Sequence, residues 1–420
     1  MPDQSPESQA KPSVAIVVQR YGNEIGGGSE YACQLIAERM NQYYNVQVLT
    51  TCAKDYRTWK NEYEAGATEV NGIPVRRFRV QGERDTAQFE RVWEKIFWRD
   101  HSPEDEMDFF RFQGPYTPEL LDYIRKNRSA YDAFLFCTYL YYPTALGLPL
   151  VGPRAVFLPT AHDEAPLYLN HFDRIFHATP HLVFLSEEER QLVQRRFTLD
   201  SAIGSVVGVG IDNPWSTPDE PGWNALKQRL GDSKVVTYVG RVDAGKGCAK
   251  LVEFFLRYPR SRHREGVKLL LLGRNAMDIP DHPDIIAPGF VSDYVKAHAV
   301  AASSVSVAPS PLESLCMAAH EAWYQGCPLL VNGQCNVLVG HCLRSNGGLW
   351  YENYEEFESA LGRLLEDANL ARKLGRQGQE YISANCRWSQ VEKLYCRILD
   401  GVINSGKEQG SSDFSPSRSA

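Results

Sequence analysis

Ser13-Val14-Ala15-Ile16-Val17-Val18 is followed by Gly22 and then by Gly26-Gly27-Gly28-Ser29-Glu30, and that order decides the fold. A short, β-branched apolar run suits a strand buried on both faces of a parallel sheet. Glycines next to it let the backbone approach a charged ligand closely. Residues 31–43 then place Leu35, Ile36 and Met40 on one side at helical spacing, and residues 46–51 resume as a strand. Strand, glycine loop, helix, strand is a βαβ unit, which predicts a doubly wound parallel sheet. The loop is not G-x-G-x-x-G, so it does not point to a dinucleotide.

The same texture continues outward. Further strands are expected at residues 73–80, 133–137, 155–160 and 182–185. Around residues 210–233 the chain turns to Gly210-Ile211-Asp212-Asn213-Pro214, Ser216, Pro218, Pro221 and Gly222, which reads as an interdomain linker. After it the alternation restarts, with strands at 235–239, 268–272, 304–308 and 328–331 and helices at 247–258, 292–302 and 315–325. The expected fold class is therefore α/β, with two Rossmann-like doubly wound domains facing each other across a cleft. The expected organisation is a disordered tail at 1–11, an N-terminal Rossmann-like domain at 12–209 and a linker at 210–233. A C-terminal Rossmann-like domain at 234–385, a helix at 386–403 crossing back to the N-terminal domain and a disordered tail at 404–420 complete it. Ligands of such sheets sit at the carboxyl ends of the strands, so the cleft is the default active site.

Composition excludes several classes. The chain has 420 residues, enough for two cores, with 43% hydrophobic and 23% charged residues, which rules out wholesale disorder. Its 45 Lys and Arg against 52 Asp and Glu leave a net charge of −7, so a general electrostatic grip on nucleic acid is excluded. No apolar run reaches the roughly 18 residues of a membrane span. The polar start, residues 1–11, has no signal-peptide core, which points to the cytoplasm. Ten cysteines without a C-x-x-C pair read as reduced, mostly buried thiols; Cys316, Cys327, Cys335 and Cys342 with His320 and His341 match no zinc spacing. The segment 84–128 carries Phe89, Val92, Trp93, Ile96 and Phe97 at helical spacing, with Arg91, Lys95 and Arg99 opposite. It reads either as an amphipathic cover for the sheet or as a weak peripheral contact with the inner face of a membrane.

Four places could carry chemistry. Gly240-Arg241-Val242-Asp243-Ala244-Gly245-Lys246-Gly247 follows a strand and opens a helix. Two cations beside a helix N-terminus suit a phosphate. The run nearly spells the phosphate loop G-x4-G-K-[ST], but Gly247 stands where the magnesium-binding hydroxyl belongs. Glu313 and Glu321 lie eight residues apart around a strand-to-helix turn, and carboxylates there suit the hydroxyls of a sugar and a ribose. His162 and Asp163 follow an N-domain strand and could orient an acceptor hydroxyl. The fourth place is the Gly26-Gly27-Gly28 loop itself.

Together these stretches resemble the retaining glycosyltransferases of family 4 with the GT-B fold, over about residues 13–400. The matching motifs are the glycine loop, the His162-Asp163 pair, Gly210-Ile211-Asp212, G-R-x4-K-G at 240–247 and E-x7-E at 313–321. The resemblance implies a catalytic set of His162, Asp163, Arg241, Lys246 and Glu313. Gly240, Arg241 and Lys246 would hold the donor diphosphate, and Ser314, Leu315 and Cys316 would offer it backbone amides. Glu313 would bind the transferred sugar and Glu321 the ribose. Gly27 and Gly28 would close over the phosphates, and Arg274, Gly289, Phe290 and Val291 would lie near the base. Tyr139, Tyr141 and Tyr142 are acceptor contacts on position alone. The family has E-G-[FY]-G where this chain has Glu313-Ser314-Leu315-Cys316, so side chains replace two glycines. No D-x-D occurs, so no metal and no other cofactor is expected beyond the nucleotide-sugar donor. The implied activity is retaining, metal-independent transfer of a hexosyl unit to a saccharide or lipid-linked glycan, in cell-surface polysaccharide or glycolipid synthesis. A sugar-nucleotide epimerase on the same fold, a P-loop-like NTPase and a silent binding protein are the rivals.

Overall fold

In the computed structural model of the chain, residues 11–211, 218–258 and 266–412 are described. Asp212, Asn213, Pro214 and Ser216 of the linker, and the tail residues 1–10 and 413–420, lie outside them. The chain divides into two compact units. The first comprises residues up to Leu185, Arg190–Val207 and the chain from Glu392 onward; the second comprises Ser186–Glu189 and Gly208–Val391.

The first unit is built on β1 (Ser13–Val17), β2 (Asn45–Thr51), β3 (Gly66–Val70), β4 (Ile73–Phe78), β5 (Ala133–Cys137), β6 (Ala155–Leu158), β7 (His181–Phe184) and β8 (Ser205–Val206). Their order in the sheet is β3-β4-β2-β1-β5-β6-β7-β8. β1 pairs in parallel with β2 and β5, and its residues Val14 to Val17 are wholly buried, as a continuous apolar run at a sheet centre must be. The chain winds outward from β1 through β2 to β4, then returns to β5 on the other side of β1. The crevice between β1 and β5 is thus the switch point where ligands of open α/β sheets bind.

The second unit repeats the plan. It contains β9 (Lys234–Val239), β10 (Val267–Leu272), β11 (Ile285–Gly289), β12 (Val305–Ala308), β13 (Leu329–Asn332) and β14 (Gly348–Tyr351). Their order is β11-β10-β9-β12-β13-β14, every pair parallel. Winding reverses between β9 and β12. The loops that follow these two strands, 240–247 and 309–316, therefore flank one crevice at their carboxyl ends.

Several expectations need correction. β3 was not anticipated; it is an exposed edge strand joined antiparallel to β4 through Asn71-Gly72, both at positive φ (50° and 77°), the geometry of a two-residue hairpin. The segment 84–128 holds three helices, Thr86–Trp98, Pro103–Gln113 and Pro118–Asn127. Phe89, Val92, Trp93 and Phe97 pack on the aromatic core around Phe109 and Phe110, so this apolar face covers protein and is not laid open to a membrane; Trp98, 78% exposed, points outward. The 210–233 linker contains a helix, Glu220–Leu230, started by the Asp219 carboxylate accepting the Gly222 amide. The last helix runs Trp388–Ser412, so residues 404–412 are helical where a tail was expected. Among the described residues no helix is long and apolar enough to cross a membrane. All ten cysteines are free.

Candidate active site

The loop after β9 is tied down before any ligand is considered. Gly240 (φ 143°) and Gly273 (φ 143°) meet so closely that a Cβ on Gly273 would lie 2.0 Å from the Gly240 carbonyl oxygen. Val242 donates its amide to the Arg274 carbonyl (3.0 Å), which zips this loop to the one after β10. Asp243 organises the rest. Its carboxylate accepts the Lys246 amide at 2.8 Å and the Arg241 Nε–H. Only 6% of Asp243 is exposed; burial pushes its carboxyl up, but the Arg241 and Lys246 bonds and charges outweigh it and hold the group below the usual range. Asp243 was not singled out in the sequence, where an aspartate between two glycines reads as a turn residue.

Lys246 reaches across the switch point. Its Nζ lies 2.7 Å from Oε1 of Glu313, at the end of the loop after β12. Burial works against the Lys246 charge, yet the Glu313 carboxylate more than offsets it and holds the ammonium above its ordinary range. Gly247 takes φ 75°, and a Cβ there would lie 2.2 Å from the Pro309 carbonyl oxygen. A serine or threonine therefore has no room at 247, which disposes of the phosphate-loop reading on steric grounds.

The second loop is held with equal care. Ser310 Oγ donates to the Leu312 carbonyl (2.9 Å), and Asn332 Nδ2 donates to the Pro309 carbonyl (3.0 Å). Cys316 adopts the left-handed conformation, φ 66° and ψ 75°, immediately before the helix Met317–Tyr324. Among the described residues no acceptor is bonded to the amides of Ser314, Leu315 or Cys316. Unbonded amides at a helix start suit an anion. Arg241, Lys246 and Glu313 are thus brought together, with Asp243 behind them. Glu321, on the helix, contacts a different partner: Lys296 Nζ bridges its Oε1 (2.9 Å) and Asp293 (2.9 Å). Burial opposes the Lys296 charge, but Glu321 and Asp293 together raise it above the usual range. Lys296 was another residue the sequence reading missed. Gly289 ends β11, Val291 is half-buried, the Phe290 ring is 81% exposed, and Arg274 is exposed.

In the first unit, Gly27 precedes the helix Gly28–Met40, and a Cβ on it would lie 2.0 Å from Oε2 of Glu30. Glu30 is buried against Arg20, and Arg20 Nη1 donates to the Lys54 carbonyl (2.7 Å). This unanticipated pair fastens the loop after β1 to the loop after β2. Burial raises the Glu30 carboxyl, but Arg20 wins and holds it below its ordinary range. The His162 partner also differs from expectation. His162 Nδ1 lies 3.5 Å from Oε1 of Glu164, while Asp163 accepts from the Tyr168 hydroxyl (2.8 Å). Glu164 in turn accepts the Tyr139 hydroxyl at 2.8 Å. Tyr139 and Tyr142 are buried, and half-buried Tyr141 stands edge-on to Trp59, so the first two lie in the core and present no open surface to an acceptor.

Residues 233–367 match the family described as glycosyl transferases group 1. The second unit carries a glycosyl transferases group 1 domain. Arg241, Lys246, Glu313 and Glu321 all fall within the group 1 match, whereas the residues of the first unit lie outside it. No curated protein matches the chain. Among solved structures, sucrose-phosphate synthase from Thermosynechococcus elongatus is similar at a TM-score of 0.70 and 16% identity, covering 94% of this chain and 100% of that one. HepE from Anabaena, in complex with UDP and glucose, gives 0.65 and 14%, covering 93% and 100%. The E. coli trehalose-6-phosphate protein bound with UDP-2-fluoro glucose gives 0.66 and 14%, covering 92% and 99%. At these identities the likeness concerns the fold: two Rossmann-like units of the GT-B class, of which the group 1 domain is the second.

Proposed function

We propose that the chain transfers a hexosyl unit from a nucleotide-diphosphate sugar to an acceptor hydroxyl, with retention at the anomeric carbon and without a metal. The observation that carries this reading is the Lys246–Glu313 contact across the β9/β12 crevice. It puts a cation for a leaving diphosphate beside a carboxylate for sugar hydroxyls. As the sugar–phosphate bond breaks, negative charge grows on the diphosphate. Arg241, Lys246 and the amides of residues 314–316 stabilise it, a role that a fixed cation fills as well as a metal does. Glu313 holds the sugar hydroxyls. Glu321 holds the ribose with its carboxylate steadied by Lys296, and the open Phe290 ring supports the base. In the first unit, His162, backed by Glu164, meets the attacking hydroxyl. The acceptor is a saccharide or lipid-linked glycan in cell-surface polysaccharide or glycolipid synthesis.

HepE is described with UDP and glucose, which makes UDP-glucose the first donor to try. Thermal-shift measurements with UDP-, GDP- and ADP-sugars should single out one nucleotide, because a ligand of the native state raises its melting temperature. Transfer with that donor should survive EDTA, need a saccharide acceptor and give a product of the donor's anomeric configuration. Turnover abolished by EDTA and restored by magnesium refutes metal independence. An altered sugar nucleotide formed without any acceptor favours an epimerase instead.

A further inference from the structure

We infer that His341 is a positioning residue for the 313–316 loop, clamping the Leu315 carbonyl so that Cys316 holds a left-handed backbone without being glycine. The inference rests on the reading of that loop as the one facing the donor diphosphate. Positive φ is disfavoured for any residue with a Cβ. Nothing in residues 314–316 supplies the glycine that would relieve it. The restraint comes from another element. His341 lies on the helix Asn336–Ser345 and is 3% exposed. Its Nε2 stands 3.1 Å from the Leu315 carbonyl oxygen.

The neighbours of His341 fix which nitrogen carries the proton. Arg344, one turn on, brings Nη2 to 3.1 Å from Nδ1 of His341. A guanidinium only donates, so Nδ1 accepts and the ring proton sits on Nε2, aimed at Leu315. Arg344 is itself clamped by Glu188, Nη2 to Oε2 at 3.0 Å with Nη1 on the other oxygen. Glu188 comes this close because residue 340 is glycine: a Cβ there would lie 1.9 Å from Oε1 of Glu188. Burial, then the Arg344 charge, pushes the imidazole down to about 3, so the ring stays neutral at neutral pH. The chain Glu188–Arg344–His341–Leu315 therefore transmits a fixed geometry to the loop and takes no part in proton transfer.

The test uses the full chain and calorimetry with UDP, GDP and ADP. His341→Leu should weaken nucleotide binding about tenfold, as loss of one buried hydrogen bond does. His341→Gln, whose amide nitrogen reaches the Nε2 position, should stay within about threefold of wild type. Cys316→Gly added to His341→Leu should recover most of the loss, because glycine accepts the left-handed backbone unaided. Nitrogen-15 spectra should show the Nε2–H tautomer of His341 from about pH 6 to about pH 8. Affinity of His341→Leu within about twofold of wild type, a loss that Cys316→Gly does not relieve, or a proton found on Nδ1 each overturns the inference. Should His341→Leu fail to fold, the His341→Gln affinity and the tautomer spectrum decide. If Lys246→Ala loses nucleotide affinity while His341→Leu does not, only this inference fails. If wild type binds none of the three nucleotides, the reading of the loop fails and the inference with it.

Discussion

Replacing Lys246 with alanine should damage stability and turnover by two separable routes. The ammonium sits 2.7 Å from Glu313, with 33% of the Lys246 side chain and 15% of the Glu313 side chain exposed. Breaking a fully buried pair costs about 3–5 kcal/mol, since one charge is left without a partner. Partial exposure lets water screen the orphaned carboxylate, which brings the cost to about 1–2 kcal/mol. For a unit of this size that lowers the melting temperature by about 2–8 °C. The turnover loss should be larger, about 2.7–4 kcal/mol or a factor of 10²–10³, because the cation is needed where charge develops. Glu313→Gln in the same background removes the orphaned charge and should return most of the lost melting temperature. It should return none of the turnover. Melting curves and initial rates at saturating donor read the two effects apart. Turnover of Lys246→Ala within a few-fold of wild type, or turnover recovered together with stability in the double variant, would refute the assignment.

Asp243 gives a pH signature. Its folded carboxyl lies below the unfolded value, so its contribution is present above about pH 4 and is lost as pH falls through the folded value. Asp243→Asn should lower the melting temperature near pH 7 by the equivalent of about 1.5–3 kcal/mol, and the gap to wild type should shrink on acidification; a constant gap contradicts the charge argument. Gly247→Ser should not create a phosphate loop. With φ 75° and Pro309 in the way, it should destabilise the second unit by at least about 2 kcal/mol and give no ATP hydrolysis, and a stable, ATP-hydrolysing variant would revive the rival reading. Tyr139→Phe removes the hydroxyl that Glu164 accepts, so it should reduce kcat about tenfold while leaving nucleotide affinity unchanged; a weakened affinity instead would detach Glu164 from His162 chemistry.

How much of this was legible beforehand follows from the range of the forces involved. Local patterning carries strands and the turns beside them, so β1 with its glycine loop, β9 with residues 240–247 and β12 with residues 309–316 could all be read from the chain. Asn71-Gly72 was a legible hairpin signal, yet the polar, exposed β3 lacks the apolar run by which the other strands announce themselves. The aromatic spacing of residues 86–98 fixed a helix and an apolar face, but spacing alone cannot say whether protein or lipid covers that face. Adjacent carboxylates pose the same problem at His162. Whether Asp163 or Glu164 turns toward the ring depends on Tyr168, a little further along the same loop, and on Tyr139, which belongs to another segment.

The site shows why the remainder needed coordinates. At Gly247 and Cys316 the same crevice demands a left-handed backbone twice, at φ 75° and φ 66°. The first is solved by composition, since the Pro309 carbonyl leaves no space for a Cβ and glycine is the only residue that fits. A glycine is visible in a sequence, which is why the 240–247 loop read so clearly. The second is solved by a clamp whose outer members, Glu188 and Arg344, stand 156 positions apart. Nothing local marks such an arrangement. The cysteine at 316, where the family that the sequence resembles carries glycine, is then tolerated because of where His341 sits, and strain that glycine would have avoided is met by a hydrogen bond from a distant helix.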